Sequence, residues 1–596
     1  MVLPDADATT EALSGHVSRS DGDTWFGHPR QLARLFTIEA WERFGYYGMR
    51  ALLVLYLTNH FLFSDRAASG IYGGYTALVY LTPLIGGWLA DNYLGSKRSV
   101  KFGAVLMAAG YFTLCFGGQP AAPFAVIDGQ RYAVQVDQTA GKKQQYLVDQ
   151  GQKLAIRGRE DGAVELVGAD GQVARTVAKG HFTADGARSP LFTALMLLGL
   201  SAITIGNGFF KPNISTIVGA LYAQGDRRRD AGFTIFYMGI NLGSLFSQFL
   251  CPLLATLYGW WAGFLLAAVG MSASWALMQF DGGRLAGYGE PPARGRDRSL
   301  LIYALALLCV PFAWLLYSNL VNTPEQAPGS GLLGYVLALP IMGKVLFFTF
   351  LVSMVAIPIW SWRSGTRQEA QMMLAAILML VFNVFFMTLF EQAGSSLTLF
   401  ADRNTNLSVF GLFSMSAGQT QVFNPLSIVV LAPLVSALWA GLAKRGLEPS
   451  IPVKFAFALF GAGLGFFVLV FAGHYSVGAD FRVSIGWLAL LYVFHSAAEL
   501  CIQPVGLSMI TKLAMARIVG MMMGMWFLSI SVAQYVAGAV AQIASVETVG
   551  GEITNPKLSL DTYLSVFQTI GLIAIAAGAV LLLLAPVIKR LMHGVR

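Results

Sequence analysis

Apolar runs of about 20 residues recur along nearly the whole chain, and no other feature limits its fold as strongly. A helix rising about 1.5 Å per residue needs about 20 residues to cross a hydrocarbon core about 30 Å thick, and it bonds its own backbone internally where no water is present. Such runs lie near 34–58, 68–93, 99–117, 190–221, 230–256 and 260–280, then near 300–320 and 333–361. Six more lie near 371–400, 422–443, 453–473, 484–513, 515–545 and 562–588. The expected fold is an all-α polytopic membrane protein of about 14 transmembrane helices. Composition agrees, with 55% of residues hydrophobic and 12% charged, against about 25% charged in a typical soluble protein.

Short loops rich in Lys and Arg stay cytoplasmic. One set of loops carries Lys97, Arg98 and Lys101; Arg227, Arg228 and Arg229; Arg284, Arg294, Arg296 and Arg298; Arg363 and Arg367; Lys444 and Arg445; Lys589 and Arg590. The other set carries Arg66, Arg403, Arg482 or Lys557 singly. With an even number of spans, both termini are expected in the cytoplasm. The net charge of +8 lies where topology and anionic lipid place it, which removes any need for a nucleic-acid partner. Residues 1–30 are polar without a signal-peptide core, so the first helix is expected to direct insertion. Cys115, Cys251, Cys309 and Cys501 stand singly in apolar runs and read as packing residues.

The expected organisation is a tail over 1–33, a six-helix bundle over 34–283, two linker helices within 299–362, a second six-helix bundle over 370–588 and a tail over 589–596. The linker pair holds few charges, and its connecting loop contains Glu325. Lys344 is near a helix end and can snorkel to the interface. Within the first bundle, residues 118–189 are polar, with turn signals between short alternating runs. They read as a small β-rich insert outside the cytoplasm, since long loops translocate largely regardless of charge. Two readings stay open for it: a lid or partner-binding element, and a tolerated surface insertion.

The run Glu-Ala-Trp-Glu-Arg-Phe-Gly-Tyr-Tyr-Gly over 39–48 places two carboxylates, a guanidinium and two phenols at the head of a membrane span. At about 100° per residue, Glu39, Glu42, Arg43, Tyr46, Tyr47 and Arg50 share one helix stripe. A charge at mid-bilayer costs roughly 2.5–3.5 kcal/mol even on the lenient insertion scale. The stripe therefore faces protein or a wet cavity, as a transport pathway or as structural ion pairs among these residues.

Gly86-Gly-Trp-Leu-Ala-Asp91-Asn-Tyr-Leu-Gly95-Ser-Lys97-Arg98 closes the second span and turns into the third. Its glycines permit close helix approach, and Asp91 is expected to cap the next helix or pair with a neighbouring cation. The segment resembles the loop signature of major facilitator superfamily transporters, which implies two bundles with alternating access and says nothing of cargo. Lys211 stands inside an apolar helix beside Pro212 and needs an anion, either a carboxylate or a substrate. Glu391 and Glu499 supply buried carboxylates in the second half. Counted with Glu39 and Glu42 against Arg43, Arg50 and Lys211, they leave one surplus negative charge, which a proton can neutralise. A zwitterion suits such a cavity. Its carboxylate would meet Arg43 and Lys211, and its ammonium Glu391 or Glu499, with the ends separating by about 3.3–3.6 Å per added residue. Tyr46, Tyr47, Tyr80, Asn241, Asn424 and Trp526 read either as the walls of that site or as interhelical contacts.

Together these segments closely resemble the proton-dependent oligopeptide transporter (POT) family of the major facilitator superfamily. The resemblance is carried by Glu39-x-x-Glu42-Arg43-Phe44-x-Tyr46-Tyr47-Gly48, Phe233-x-x-Phe236-Tyr237-x-x-Ile240-Asn241-Leu242-Gly243-Ser244 and Lys211-Pro-Asn213. Glu391-Gln-x-Gly394-Ser395, Asn424-Pro425 and Glu499-x-x-x-Gln503-Pro-Val-Gly-Leu-Ser508 extend it to the second half. It implies symport of di- and tripeptides with protons as the coupling ion and no cofactor. Glu39, Glu42 and Arg43 would serve in coupling, and Lys211 and Glu499 in binding and gating. The two extra helices match bacterial members and, with no sorting signal, favour a bacterial inner membrane; a single chain is the expected functional unit. Some members carry a histidine on the second helix; the matching stretch Ile71-Tyr72-Gly73-Gly74-Tyr75 has none. That makes Glu42 the leading titrating group, with His495, one turn before Glu499, a second candidate. Arg50 with Glu391, and Lys211 with Glu499, are the expected alternating gate pairs.

Two other readings remain at this stage. A transporter of the same fold would carry another small anion, such as nitrate or an organic acid, on Arg43 and Lys211. A membrane enzyme or channel is the other, but the sequence holds no nucleophile with its base, no metal-ligand cluster and no phosphate loop.

Overall fold

The computed structural model describes residues 24–139, 142–223, 226, 228–292, 297–322, 334 and 337–595. Residues 1–23 of the expected tail, Arg227, Arg294 and Arg296 of the cationic loops, and the loop around Glu325 lie outside the described residues.

Among the described residues the first six helices are α1 (Gln31–Asn59), α2 (Asp65–Leu89), α3 (Ser96–Leu114), α4 (Pro190–Ala220), α5 (Arg228–Tyr258) and α6 (Trp260–Gln279). Then come α7 (Ser299–Asn322), α8 (Ile341–Ser364), α9 (Arg367–Phe390) and the short α10 (Ser396–Asn404). The chain closes with α11 (Phe423–Lys444), α12 (Ile451–Tyr475), α13 (Ile485–Leu513), α14 (Val519–Ile543) and α15 (Pro556–Leu591). Among the described residues, 11 spans from Pro190–Ala220 to Pro556–Leu591 are long and apolar enough to cross a membrane. With α1, α2 and α3, which carry the charged stripe and the glycine-rich turn, they reach the expected 14.

Helix ends follow local chemistry. The Ser64 hydroxyl accepts from Ala67 N at 3.1 Å to start α2, and Thr366 and Glu369 form a capping box on α9. Proline at the first turn begins α4 and α15, where its missing N–H costs nothing. Two expectations change. The helix near 371–400 is interrupted by a 3-10 turn over Glu391–Gly394, because Ser395, at φ −126° and ψ −96°, leaves helical geometry. Asp91 does not cap the third span: α2 passes through a wide turn over Ala90–Leu94 and stops at Gly95, whose φ of +74° favours glycine, and α3 starts without a side-chain cap. Among the described residues Asp91 forms no ion pair, and the nearby Lys97 is paired to Asp281 at 3.2 Å and Glu290 at 3.7 Å.

Small residues set the closest packing. A Cβ on Gly206 of α4 would lie 2.7 Å from the Gly103 carbonyl oxygen of α3, and one on Gly199 would lie 2.9 Å from that of Gly110. The two bundles meet where α2 crosses α14, with the Ser531 hydroxyl donating to Ala77 O at 2.7 Å and no room for a Cβ between Gly73 and Gly538. The linker helices divide between them. Trp314 of α7 donates to Ala194 O of α4 at 3.0 Å, whereas Gly343 of α8 seats Tyr535 of α14.

The expected β-rich insert is one antiparallel sheet of seven strands: β1 (Ala122–Ile127), β2 (Gln130–Thr139), β3 (Lys142–Asp149), β4 (Gln152–Gly158), β5 (Val164–Val167), β6 (Val173–Val177) and β7 (Phe182–Ala187). The order β6-β5-β4-β3-β2-β1-β7 is a meander whose last strand returns beside the first. Ala125, Ile127, Leu147, Ile156 and Leu166 fill one face.

Candidate functional site

Helix α1 buries its whole charged stripe. Arg43 Nε donates to Glu39 Oε1 at 2.9 Å and lies 2.6 Å from Glu42 Oε2, with all three side chains buried. One Glu39 oxygen, both Glu42 oxygens and Arg43 Nη2 take no hydrogen bond in the described structure, leaving the cluster electrostatically paired but incompletely bonded. Two turns further, Arg50 Nη2 forms a buried ion pair with Glu391 Oε2 of the 3-10 turn, and Arg50 Nε donates to the Tyr72 hydroxyl at 2.5 Å.

Glu39, Arg43, Arg50 and Glu391 open onto a cavity of about 1300 Å³ between the bundles, whereas Glu42 and Tyr72 sit behind its wall. Its lining includes Glu39, Arg43, Tyr47, Arg50, Tyr80, Lys211 and Asn241 from the first six helices, and Glu391, Asn424, Glu499 and Trp526 from the second set. It reaches Asp230 at the start of α5 and Trp439 and Lys454 at the adjoining ends of α11 and α12. That is the end marked by Arg228, Arg229, Lys444 and Arg445. At its other end stand Arg50 and Glu391.

Lys211 Nζ lies 4.0 Å from the centre of the Tyr80 ring, and among the described residues it forms no ion pair. Across from it, Asn424 Nδ2 donates to Glu499 Oε2 at 3.3 Å and to Ser496 Oγ at 3.0 Å, which holds the carboxylate toward the cavity. Asn241 lines the wall with its amide bonded to Tyr237 O of its own helix at 3.0 Å. Trp526 is buried against Gly506, where a Cβ would collide with the indole. The first bundle lines the chamber with Arg43, Arg50 and Lys211 against Glu39 and Asp230, and the second with Glu391 and Glu499 against Lys454, so cations are in excess on one side and carboxylates on the other.

Two expected members stand apart. Tyr46 does not line the cavity: one residue, or about 100°, from Tyr47, it is 1% exposed and its hydroxyl finds no partner. His495 reaches the lining but is turned inward, its Nε2 bonded to Ala462 O at 3.1 Å and its ring edge-on to Phe466 at 4.9 Å.

Three features have no local sequence motif. Tyr72 reaches the 3-10 turn because Gly394 has no Cβ to block its hydroxyl, so the glycine of the Glu391 segment is the one available hint. Arg403, read from sequence as a solitary loop cation, is buried on α10 and pairs with Asp65 of α2 at 2.9 Å. It became visible only once α2 and α10 were adjacent. Arg403 also lies 3.2 Å from Asp402, so this added cluster carries carboxylates on both sides of one guanidinium. Lys454 at the cavity mouth pairs with Glu448 at 2.6 Å.

The sequence model of the POT family matches residues 100–292 and 345–555. An uncharacterized transporter, YclF, of Bacillus subtilis is 32% identical over 96% of each chain. Dipeptide and tripeptide permease A of Salmonella typhimurium is 29% identical, over 95% of this chain and 94% of its own. A crystal structure of peptide transporter POT in complex with sulfate aligns at a TM-score of 0.72 with 30% identity, covering 98% of this chain and 99% of that one. Tetrameric PepTSo2 aligns at 0.69 with 26% identity, covering 94% and 99%.

Proposed function

The chain belongs to the POT family of membrane transporters, and from that premise we propose that it imports di- and tripeptides with protons by alternating access. The observation that carries this reading is the division of charge in one chamber, Arg43 and Lys211 from one bundle and Glu499 from the other. A peptide is the ligand with a carboxylate at one end, an ammonium at the other and a spacing set by residue count. The aromatic and apolar walls at Tyr47, Tyr80 and Trp526 accept varied side chains without demanding one.

The cavity opens at the cationic-loop end, so the conformation is inward-facing if those loops are cytoplasmic. Residues 34–283 and 370–588 are the two rocking units, and the Arg50–Glu391 and Arg403–Asp65 pairs close the far side. Glu42, buried beside Arg43 with unmet oxygens, is the coupling carboxylate, with Glu39 and Arg43 as partners. Protonating it frees Arg43 to hold a peptide carboxylate. Lys211 then exchanges that carboxylate for Glu499 as the bundles rock, and the peptide ammonium meets Glu499 or Glu391. The setting is a bacterial inner membrane with both termini cytoplasmic and a single chain as the unit.

Uptake of labelled dialanine into proteoliposomes under an imposed pH gradient tests the reading. Gradient-dependent accumulation supports it. Its absence, with nitrate or an organic acid accumulated instead, would replace the peptide by a small anion on Arg43 and Lys211.

A further inference from the structure

The seven-stranded insert is rooted in the first bundle. It leaves from the end of α3 and returns into α4, Ala121 N donates to His60 O at 2.8 Å, and Arg188 donates to Leu62 O at 3.1 Å while lying 4.3 Å over the Phe63 ring. Yet the sheet also grips the second bundle, through the α14–α15 loop. Gly158 N donates to Thr554 O at 3.2 Å, Gln145 Nε2 to Ile553 O at 3.3 Å, and Asn555 Nδ2 to Gly158 O at 3.3 Å. Ion pairs Lys143–Glu552 at 2.5 Å and Lys557–Glu160 at 2.7 Å flank these bonds. Val549, 1% exposed, belongs to the sheet's own apolar core. Beneath this loop, the Gly551 carbonyl accepts from buried Arg403, whose other arm holds Asp65 of α2.

The contacts from the sheet to the α14–α15 loop, and the Arg403–Asp65 pair, span the seam that must part if the cavity is to open on this side. Each exposed ion pair is individually weak. One backbone bond, two side-chain amide bonds to backbone carbonyls, two ion pairs and a buried valine on one sheet, however, release together. We propose that the insert is an extracellular clasp: it fastens the first bundle to the α14–α15 loop in the inward-facing state and must unlatch for the transporter to face outward. It rests on the alternating-access reading but not on the identity of the cargo.

An ideal Cβ at Gly158 lies 3.1 Å from the Cβ of Thr554, a few tenths short of the usual range of about 3.5–4.5 Å for a disulfide. Gly158→Cys with Thr554→Cys therefore tests the clasp, with each single variant as control. Ser395→Cys, introduced at a site 0% exposed beside the Glu391 turn, reports outward opening through a membrane-impermeant maleimide. Oxidation is expected to cut both dialanine uptake and Ser395→Cys labelling at least tenfold, and reduction to restore both. Oxidised protein that transports and labels at the reduced rate overturns the clasp. If no form accumulates dialanine while the disulfide still governs labelling, the clasp stands and the peptide reading falls. Independently, Lys143→Glu with Lys557→Glu is expected to raise labelling severalfold, and adding Glu160→Lys with Glu552→Lys to return it to the wild-type rate. Labelling indifferent to both sets also overturns the proposal.

Discussion

Lys211 and Glu499 stand on walls contributed by different bundles of one cavity and do not touch. Lys211 rests over the Tyr80 ring at 4.0 Å while Glu499 accepts from Asn424 at 3.3 Å. Two opposite charges held apart in a shared chamber leave room for a ligand carrying the complementary pair.

Removing the anionic side separates a peptide from a simple anion. Glu499→Gln is expected to weaken dipeptide binding by about 10- to 150-fold, the equivalent of roughly 1.5–3 kcal/mol for a hydrogen bond to a charged group. N-acetylated dialanine should compete poorly with wild type in the same binding assay. Equal competition by the acetylated peptide would point to an anion carrier.

Coupling and translocation come apart at Glu42. Glu42→Gln is expected to abolish gradient-driven uptake in proteoliposomes while peptide counterflow, which needs no net proton movement, continues. Full gradient-driven uptake with an unchanged pH profile would remove Glu42 from the coupling role.

The Tyr72 hydroxyl accepts from Arg50 Nε, and Tyr72→Phe would leave that buried donor unmet at a cost of about 1–3 kcal/mol. The expected outcome is a faster opening of the Arg50–Glu391 side, read as increased labelling of Ser395→Cys, with peptide affinity from the cavity side little changed. Unaltered labelling would make the bond incidental.

Gly206→Val puts branched carbons where even a Cβ would sit 2.7 Å from the Gly103 carbonyl oxygen. Since neither helix can retreat from the bundle core, overpacking of at least about 1–3 kcal/mol is expected. A clear drop in the detergent-solubilised melting temperature would register it.

Outside the membrane, the Asp281 carboxyl is pushed up by burial, but the Gly283 N–H, the Lys97 ammonium and the Leu285 N–H outweigh this and hold it below its usual 3.8. A group lowered on folding stabilises the fold above its unfolded value and loses that contribution as pH falls through the folded one. Thermal stability should therefore decline on acidification below about pH 4, and Asp281→Asn should flatten that limb while lowering stability near neutral pH. A limb of equal steepness in the variant would assign it to other carboxylates.

How far the sequence reached is clearest on α1. Helical periodicity alone places Glu39, Arg43, Tyr47 and Arg50 along one stripe, and the cost of charge in lipid turns that stripe toward a cavity, as the structure has it. The same periodicity overreached at Tyr46, because at about 100° per residue the six positions spread over about 140° of the helix, and one edge of that arc lies behind the wall. The break at Glu391–Gly394 was harder to read: polar Glu391, Gln392, Ser395 and Ser396 interrupt the apolar run without fixing a backbone angle, and it is Ser395, at φ −126° and ψ −96°, that leaves helical geometry.

The sequence by itself determined the number of spans, the clustering of positive loops on one side, and which helices carry charge, since each follows from local transfer free energies and period. Only the tertiary structure decided the partners. Arg403 met Asp65, Arg50 met Tyr72 and Glu391, and the insert met the α14–α15 loop, because pairing is a matter of distance between segments hundreds of residues apart, and no local pattern encodes that distance.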